Sequence, residues 1–227
     1  MVIVTGASGE IGRNIFEHFF QKDPGTIGTY HTNKPDGLDD KNLFKLDISD
    51  YKSAESFISD IHSELKDICL INGAAITYDA FTHKSDPHEW AKTIEINLTG
   101  SYNIIRAILP VMRQQQYGRI INLSSVVAQR GFFGTSAYAA SKSGIWGLTK
   151  SIAVENAEKN ILINTINLGY MDAGMTHRIP SEMRERIRES IPLKRFGPIS
   201  DIILAIEFLI KTSYVTGTSI DVNGGLY

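Results

Sequence analysis

Tyr138 and Lys142 stand four residues apart in the run SAYAASKSGIWGLTKSIAVE, residues 136–155. On a helix that spacing puts both side chains on one face. The pair suits hydride transfer between a carbonyl and an alcohol, where the substrate oxygen gains a proton as hydride arrives or loses one as it leaves. A tyrosine, with an ordinary pKa of about 10, must be shifted down to trade protons near neutrality. A lysine one turn away and the charge of an oxidised nicotinamide both favour the phenolate, so the expectation here is a depressed tyrosine pKa. The same lysine can donate to the nicotinamide ribose hydroxyls.

Spacing alone is weak. Nine tyrosines and 13 lysines in 227 residues give roughly half a match by chance, the false-positive risk of any short motif. The chain holds such a decoy in Tyr30 and Lys34, but it lies in a loop before Pro35. The run around Tyr138 is alanine-rich and reads as helix. Upstream, the apolar run RIINL leads into Ser124 and Ser125. A serine at the carboxyl end of a strand can donate to a substrate oxygen.

A second constellation opens the chain. In TGASGEIG, residues 5–12, Gly6, Gly9 and Gly12 lie between a predicted strand and a predicted helix. Glycines there permit a tight turn and close approach of the backbone to a pyrophosphate, and the helix N-terminus supplies free N–H groups. The second predicted strand ends in TYHTNK. It offers no carboxylate for the ribose 2′-hydroxyl of NAD and one cation, Lys34, so NADP is preferred over NAD.

Elements must bring these residues together. Residues 2–4, 26–30, 43–46, 68–72, 119–123, 162–168 and 219–222 read as strands. Residues 11–20, 51–65, 87–116, 137–159 and 200–211 read as helices by their apolar spacing. Asp86 and Pro87 make an N-cap followed by proline at the first position, and Pro110 predicts a kink or break. The alternation signals βαβ units and a parallel sheet with helices on both faces, with ligands at the carboxyl ends of the strands. Asp39, Asp40 and Lys41 read as a solvated loop. Ile104, Ile105 and Ile108 on one long helix and Trp146, Leu148 and Ile152 on the other exceed what one sheet face covers, so a partner surface is expected, with packing inside one subunit as the alternative.

Composition removes other classes. The chain is 42% hydrophobic and 21% charged with net charge −2, which offers no basic stripe for nucleic acid or a membrane surface. Its length suits one α/β domain over residues 1–227. One cysteine, Cys69 in ICLI, excludes an internal disulfide and reads as strand filler. With no signal-like opening segment and no run near 18 apolar residues, the cytoplasm is expected. The six histidines lack ligand spacing, so no metal site is expected.

These motifs together resemble the short-chain dehydrogenase/reductase family, in its short single-domain branch, over nearly the whole chain. The resemblance implies a Rossmann-type doubly wound parallel sheet and an NAD(P)-dependent oxidoreductase. YAASK supplies Tyr138 and Lys142, RIINLSS places the family's serine at Ser125, and NLTG supplies Asn97, which in the family kinks a helix and holds a proton-relay water. These four are the implied catalytic residues. The implied cofactor residues are Gly6, Ser8, Gly9, Ile11 and Gly12 of the first loop, His31 after the second strand, and Asp47 and Ile48 of LDISD. Asn72, Gly73 and Ala74 of INGAA join them, with Tyr138, Lys142, and Gly169 and Met171 of NTINLGYMDAGMT. DVNGG resembles the C-terminal signature. The chain departs from the family at Glu10, Gly73, Ala75, Leu168 and Ala173, all at the cofactor. A carboxylate at position 10 is unfavourable beside a pyrophosphate unless it points away.

Residues 170–198 correspond to the family's mobile substrate lid. Arg178, Arg184, Arg186, Arg188 and Arg195 lie there among glutamates. A surface helix of mixed charge is preferred over a cationic rim for an acyl-phosphopantetheine carrier. The resemblance implies a homodimer or homotetramer and a small-molecule or acyl-thioester substrate, best matched by a 3-oxoacyl-carrier-protein-reductase-like enzyme. Two alternatives stand beside it. The glycine spacing prompts a nucleotide-sugar epimerase or dehydratase, and a non-catalytic NADP-binding regulator is the other.

Overall fold

A computed structural model describes residues 1–35, 37 and 40–227. Seven strands form one sheet: β1 (Val2–Thr5), β2 (Ile27–Tyr30), β3 (Leu43–Lys45), β4 (Cys69–Asn72), β5 (Gly118–Ser125), β6 (Ile161–Leu168) and β7 (Ser219–Val222). Their order is β3-β2-β1-β4-β5-β6-β7 and every pairing is parallel. This is the Rossmann-type α/β fold. The chain turns back across β1 to reach β4, so a crevice opens between their carboxyl ends, where such sheets bind ligands.

The helices are α1 (Glu10–Lys22), α2 (Tyr51–Asp60), α3 (Pro87–Ile94), α4 (Gly100–Gln115), α5 (Ser136–Asn156), α6 (Ser181–Ser190) and α7 (Ile199–Lys211). Ile3, Leu70, Ile120 and Ile163 face α2, α4 and α5 in one buried cluster. Val4, Ile71, Ile121 and Ile166 face α1 and α7 in another. With both faces covered, β6 is buried at all eight positions, and central strands of this kind read as continuous apolar runs. Cys69 is buried in β4, and its thiol is pushed up to about 12 by burial. Among the described residues no helix is long and apolar enough to cross a membrane.

Several expectations need correction. Residues 87–116 are not one helix broken at Pro110. The interruption is a π turn at Glu95–Thr99, and α4 runs through Pro110. Pro110 and Arg106, whose carbonyl loses its donor to the proline, both lie on the exposed side, where water can replace the missing bond. Ser124 and Ser125 lie inside β5, because they pair with Asn167 and Leu168 of the equally long β6. Of the apolar residues on the long helices, Ile104, Ile105, Ile108 and Ile152 are buried within the subunit, while Leu148 and Trp146 are half-buried. The Trp146 indole N–H donates to Asn167. Asp40–Asn42 forms a short 3-10 turn, while Asp39 lies outside the described residues.

Candidate active site

The first loop is shaped by two glycines. Gly6 has φ +76°, and a Cβ there would lie 2.7 Å from the Ala74 Cα; a Cβ on Gly12 would lie 2.3 Å from the Gly6 carbonyl oxygen. The loop therefore packs directly under the segment after β4. Gly9 caps α1 without a side-chain hydrogen bond, which leaves the first amides of the helix for an anion. Thr5 closes the other side, its hydroxyl accepting from the Gly73 and Ala74 N–H groups at 3.1 and 3.3 Å.

Two adjoining cavities share Gly6, Ser8, Gly9, Gly73, Ala75 and Ile76. One, of about 630 Å³, extends past His31, Thr32 and Asn33 to Asp47, Ile48 and Ser49. The other, of about 860 Å³, runs past Ile11 and Gly12 to Tyr138 and Lys142 and is bordered by Gly174, His177 and Arg178. Both volumes suit small-molecule sites. Asp47 accepts from the Ser49 hydroxyl and amide, and that hydroxyl bond above all holds its carboxyl below the usual range. His31 Nε2 lies 3.5 Å from Asp47.

Tyr138 and Lys142 share the inner cavity as their helical spacing requires, with the Lys142 ammonium 5.6 Å from the Tyr138 ring centre. The chain's own groups do not supply the expected acidification of the phenol. Burial pushes Tyr138 up to about 12, the Ser125 hydroxyl pulls against that, and the Asp79 charge adds to the rise. Burial lowers Lys142 to about 8, and its ammonium donates to the Leu123 carbonyl at 2.8 Å. The physical reason is that desolvation disfavours both charges at once.

Asn97 is fully buried in the π turn. Its side-chain oxygen accepts from the Ile76 amide at 2.8 Å, and its nitrogen donates to the Ile76 carbonyl at 2.9 Å and to Ser141 at 3.1 Å. Ser141 in turn donates to the Tyr138 carbonyl. The Asn97 side chain thus staples the cavity wall after β4 to the helix of Tyr138.

The remaining residues named from the sequence divide. The Asn72 side chain turns into the interior and donates to Asn122, which donates to Thr149, itself bonded to Thr165. This buried chain ties β4, β5, β6 and α5 beneath the site. Gly169 packs against Asn223, and Met171 lines a separate cavity of about 350 Å³ with Tyr170 and Arg195. Ser124, named from the sequence beside Ser125, donates instead to the Lys142 carbonyl; the sequence reading missed Ser141 and Asp79. Polar residues set inside the apolar runs of β5 and β6 were the available signal for Asn122 and Thr165.

Glu10 lines the inner cavity beside the glycine loop. Its carboxylate accepts from the Gly174 amide at 2.5 Å and lies 3.3 Å from His177. In the segment beyond, Arg184 pairs with Asp172, Arg186 with Glu182 and Arg188 with Glu185. Residues 181–190 are therefore the mixed-charge surface helix, with three of the five arginines matched by acids.

A family model described as Enoyl-(Acyl carrier protein) reductase matches residues 11–227. The 3-oxoacyl-[acyl-carrier-protein] reductase FabG of Haemophilus influenzae is 35% identical over 100% of this chain and 98% of its own length. That of Salmonella typhimurium is 35% identical over 100% and 97%. The acetoacetyl-CoA reductase of Rhizobium meliloti is 36% identical over 82% of this chain and 78% of its own length.

Proposed function

The chain belongs to the short-chain dehydrogenase/reductase family and is an NAD(P)-dependent oxidoreductase; from that premise we propose that it reduces the 3-oxo group of an acyl thioester, with Tyr138 as proton donor. One observation carries this reading: the glycine loop and the Tyr138–Lys142 pair line a single cavity. Relatives named as reductases of 3-oxoacyl-carrier protein and acetoacetyl-CoA support the substrate class. The epimerase alternative is not favoured, because full-length relatives carry those reductase names.

A bound nicotinamide cofactor supplies the hydride. Gly6, Ser8, Gly9, Ile11 and Gly12 hold its pyrophosphate against the start of α1, and Asp47, Ile48, Gly73 and Ala74 flank its adenosine half. His31, with no carboxylate at the end of β2, supports NADP as the preferred form. Ser125 donates to the substrate oxygen, and Tyr138 gives that oxygen its proton. Lys142 holds the ribose hydroxyls, and Asn97 keeps the wall and the helix in register. We further propose that residues 170–198 are the substrate lid, that the protein works in the cytoplasm, and that it assembles as a dimer or tetramer. Exposed Leu204 and Phe208 on α7, beside the edge strand β7, support an assembly surface there.

Cofactor oxidation measured over ketones, 3-oxoacyl thioesters and enoyl thioesters, with NADPH and NADH, tests the reading. Fastest turnover is expected with a 3-oxoacyl thioester and NADPH. Turnover confined to enoyl thioesters or simple ketones contradicts the substrate, and preference for NADH contradicts the cofactor form.

A further inference from the structure

Glu10 is the residue that nucleotide binding leaves unexplained. It is the first residue of α1, where a carboxylate gains from the helix dipole but would stand close to a bound pyrophosphate. The structure gives it another occupation. One oxygen, Oε2, takes both the Gly174 amide at 2.5 Å and His177 Nδ1 at 3.3 Å, across 164 and 167 residues of chain. The other ring nitrogen of His177 lies 3.3 Å from Asp172, and Asp172 receives Arg184 of α6 at 2.7 Å. The run Glu10, His177, Asp172, Arg184 thus alternates acidic and basic residues. It starts in the nucleotide loop and ends on α6. The neighbouring contacts agree: Gly174 has φ +62°, and a Cβ there would lie 3.8 Å from Ile11. Arg184 also stacks on Phe196, 5.1 Å from the ring centre. Ala173, at the turn into this segment, is buried and carries no polar side-chain atom, so it cannot tie the segment to a phosphate.

We propose that Glu10 and His177 latch residues 172–184 onto the nucleotide loop, so that the protein itself holds this segment over the pyrophosphate end of the cavity before any cofactor arrives. Glu10 is thus a positioning residue. It keeps its charge turned toward the segment, and it slows cofactor release because the segment must leave Glu10 before the cavity opens. The release half of this inference rests on cofactor binding as proposed above; the latch half does not.

Amide hydrogen exchange of residues 172–178 in the cofactor-free protein reads the latch directly, and displacement of NADPH in a stopped-flow experiment reads release. An amide bonded to a carboxylate is protected by a charge-assisted bond, so Glu10→Gly is expected to speed exchange at Gly174 by about tenfold. Glu10→Gln keeps an acceptor and loses the charge, so it should fall between. His177→Gln should also speed exchange, and the double variant Glu10→Gly/His177→Gln should gain less than the product of the two single effects, because one contact is lost in both. NADPH release should quicken in the same order as exchange. Unchanged exchange in Glu10→Gly, or full multiplication in the double variant, overturns the latch. Slower release with unchanged exchange would mean that Glu10 acts only by repelling the pyrophosphate, which also overturns it. If exchange responds but NADPH does not bind at all, the latch stands and the cofactor assignment fails.

Discussion

Among the chain's own groups, burial at Tyr138 outweighs the Ser125 hydroxyl, which pulls the phenol the other way. With its proton held up to about 12, the residue is kept as a donor, the form needed to reduce a carbonyl. Lys142 bears the opposite consequence: its folded value of about 8 lies below the ordinary 10.5. The folded state therefore binds fewer protons than the unfolded state between those values, and the cost of the buried ammonium is full below about pH 8 and relieved as pH rises toward 10.5. Lys142→Met is expected to stabilise the protein against urea at pH 7 by about 1–2 kcal/mol, the loss of the Leu123 contact being set against relief of the buried charge. The gain should shrink by pH 10 while turnover is lost. A variant less stable than the parent at pH 7 would show that the ammonium is favourably held. Glu10 marks the limit of reading single residues. Its type and place signalled a conflict with a pyrophosphate, but its partners Gly174 and His177 lie far along the chain, and no local pattern names them.

Among elements, the strands were legible from their residues, while the join between α3 and α4 was signalled only by the family resemblance, through the helix-kinking Asn97. Val, Ile and Leu crowd β5 and β6 because both faces of the sheet are covered, and that signal survives without a structure. Asp86 and Pro87 likewise announced the start of α3: the Asp86 carboxylate accepts from the His88 amide at 2.8 Å. No residue type encodes a π turn. The one at Glu95–Thr99 exists because Asn97 is drawn to Ile76 and Ser141, contacts set by tertiary packing. Pro110 carried the stronger local signal and caused no break. Asn97→Ala leaves the Ile76 amide and carbonyl without their partner, and buried groups so stranded cost about 1–3 kcal/mol. The expected outcome is a loss in that range by urea unfolding, with a raised KM for cofactor, since the wall after β4 borders both cavities. Loss of stability with unaltered cofactor KM would confine Asn97 to the core.

Across the whole molecule the sheet is a platform with the site along the carboxyl ends of its central strands and its supports below. Polar side chains from β4, β5, β6 and α5 join in the buried chain from Asn72 to Thr165, which fixes α5, and with it Tyr138, against three strands. The opposite face is closed by Glu207 of α7, which takes His18 at 2.9 Å, Lys22 of α1, and Lys211 at 3.1 Å. These partners, Lys22 first, lower Glu207 to about 2. Its contribution is complete above about pH 4.5 and is lost as pH falls through about 2. Glu207→Gln should cost about 1 kcal/mol at pH 7 by urea unfolding, as expected of a charge network rather than a single exposed pair, and the difference should vanish toward pH 2. A difference that persists there would mean that the side chain acts by packing.

The central claim is that Tyr138 delivers the proton to the substrate oxygen, and Tyr138→Phe isolates it by removing one hydroxyl from a half-buried ring. Single-turnover oxidation of NADPH with a 3-oxoacyl thioester, measured alongside NADPH affinity, should show a rate reduced by roughly a thousandfold, in the range of a general acid, with affinity changed by less than about threefold. A Tyr138→Phe protein that still turns over within about tenfold of the parent would assign the proton to another group and contradict the mechanism.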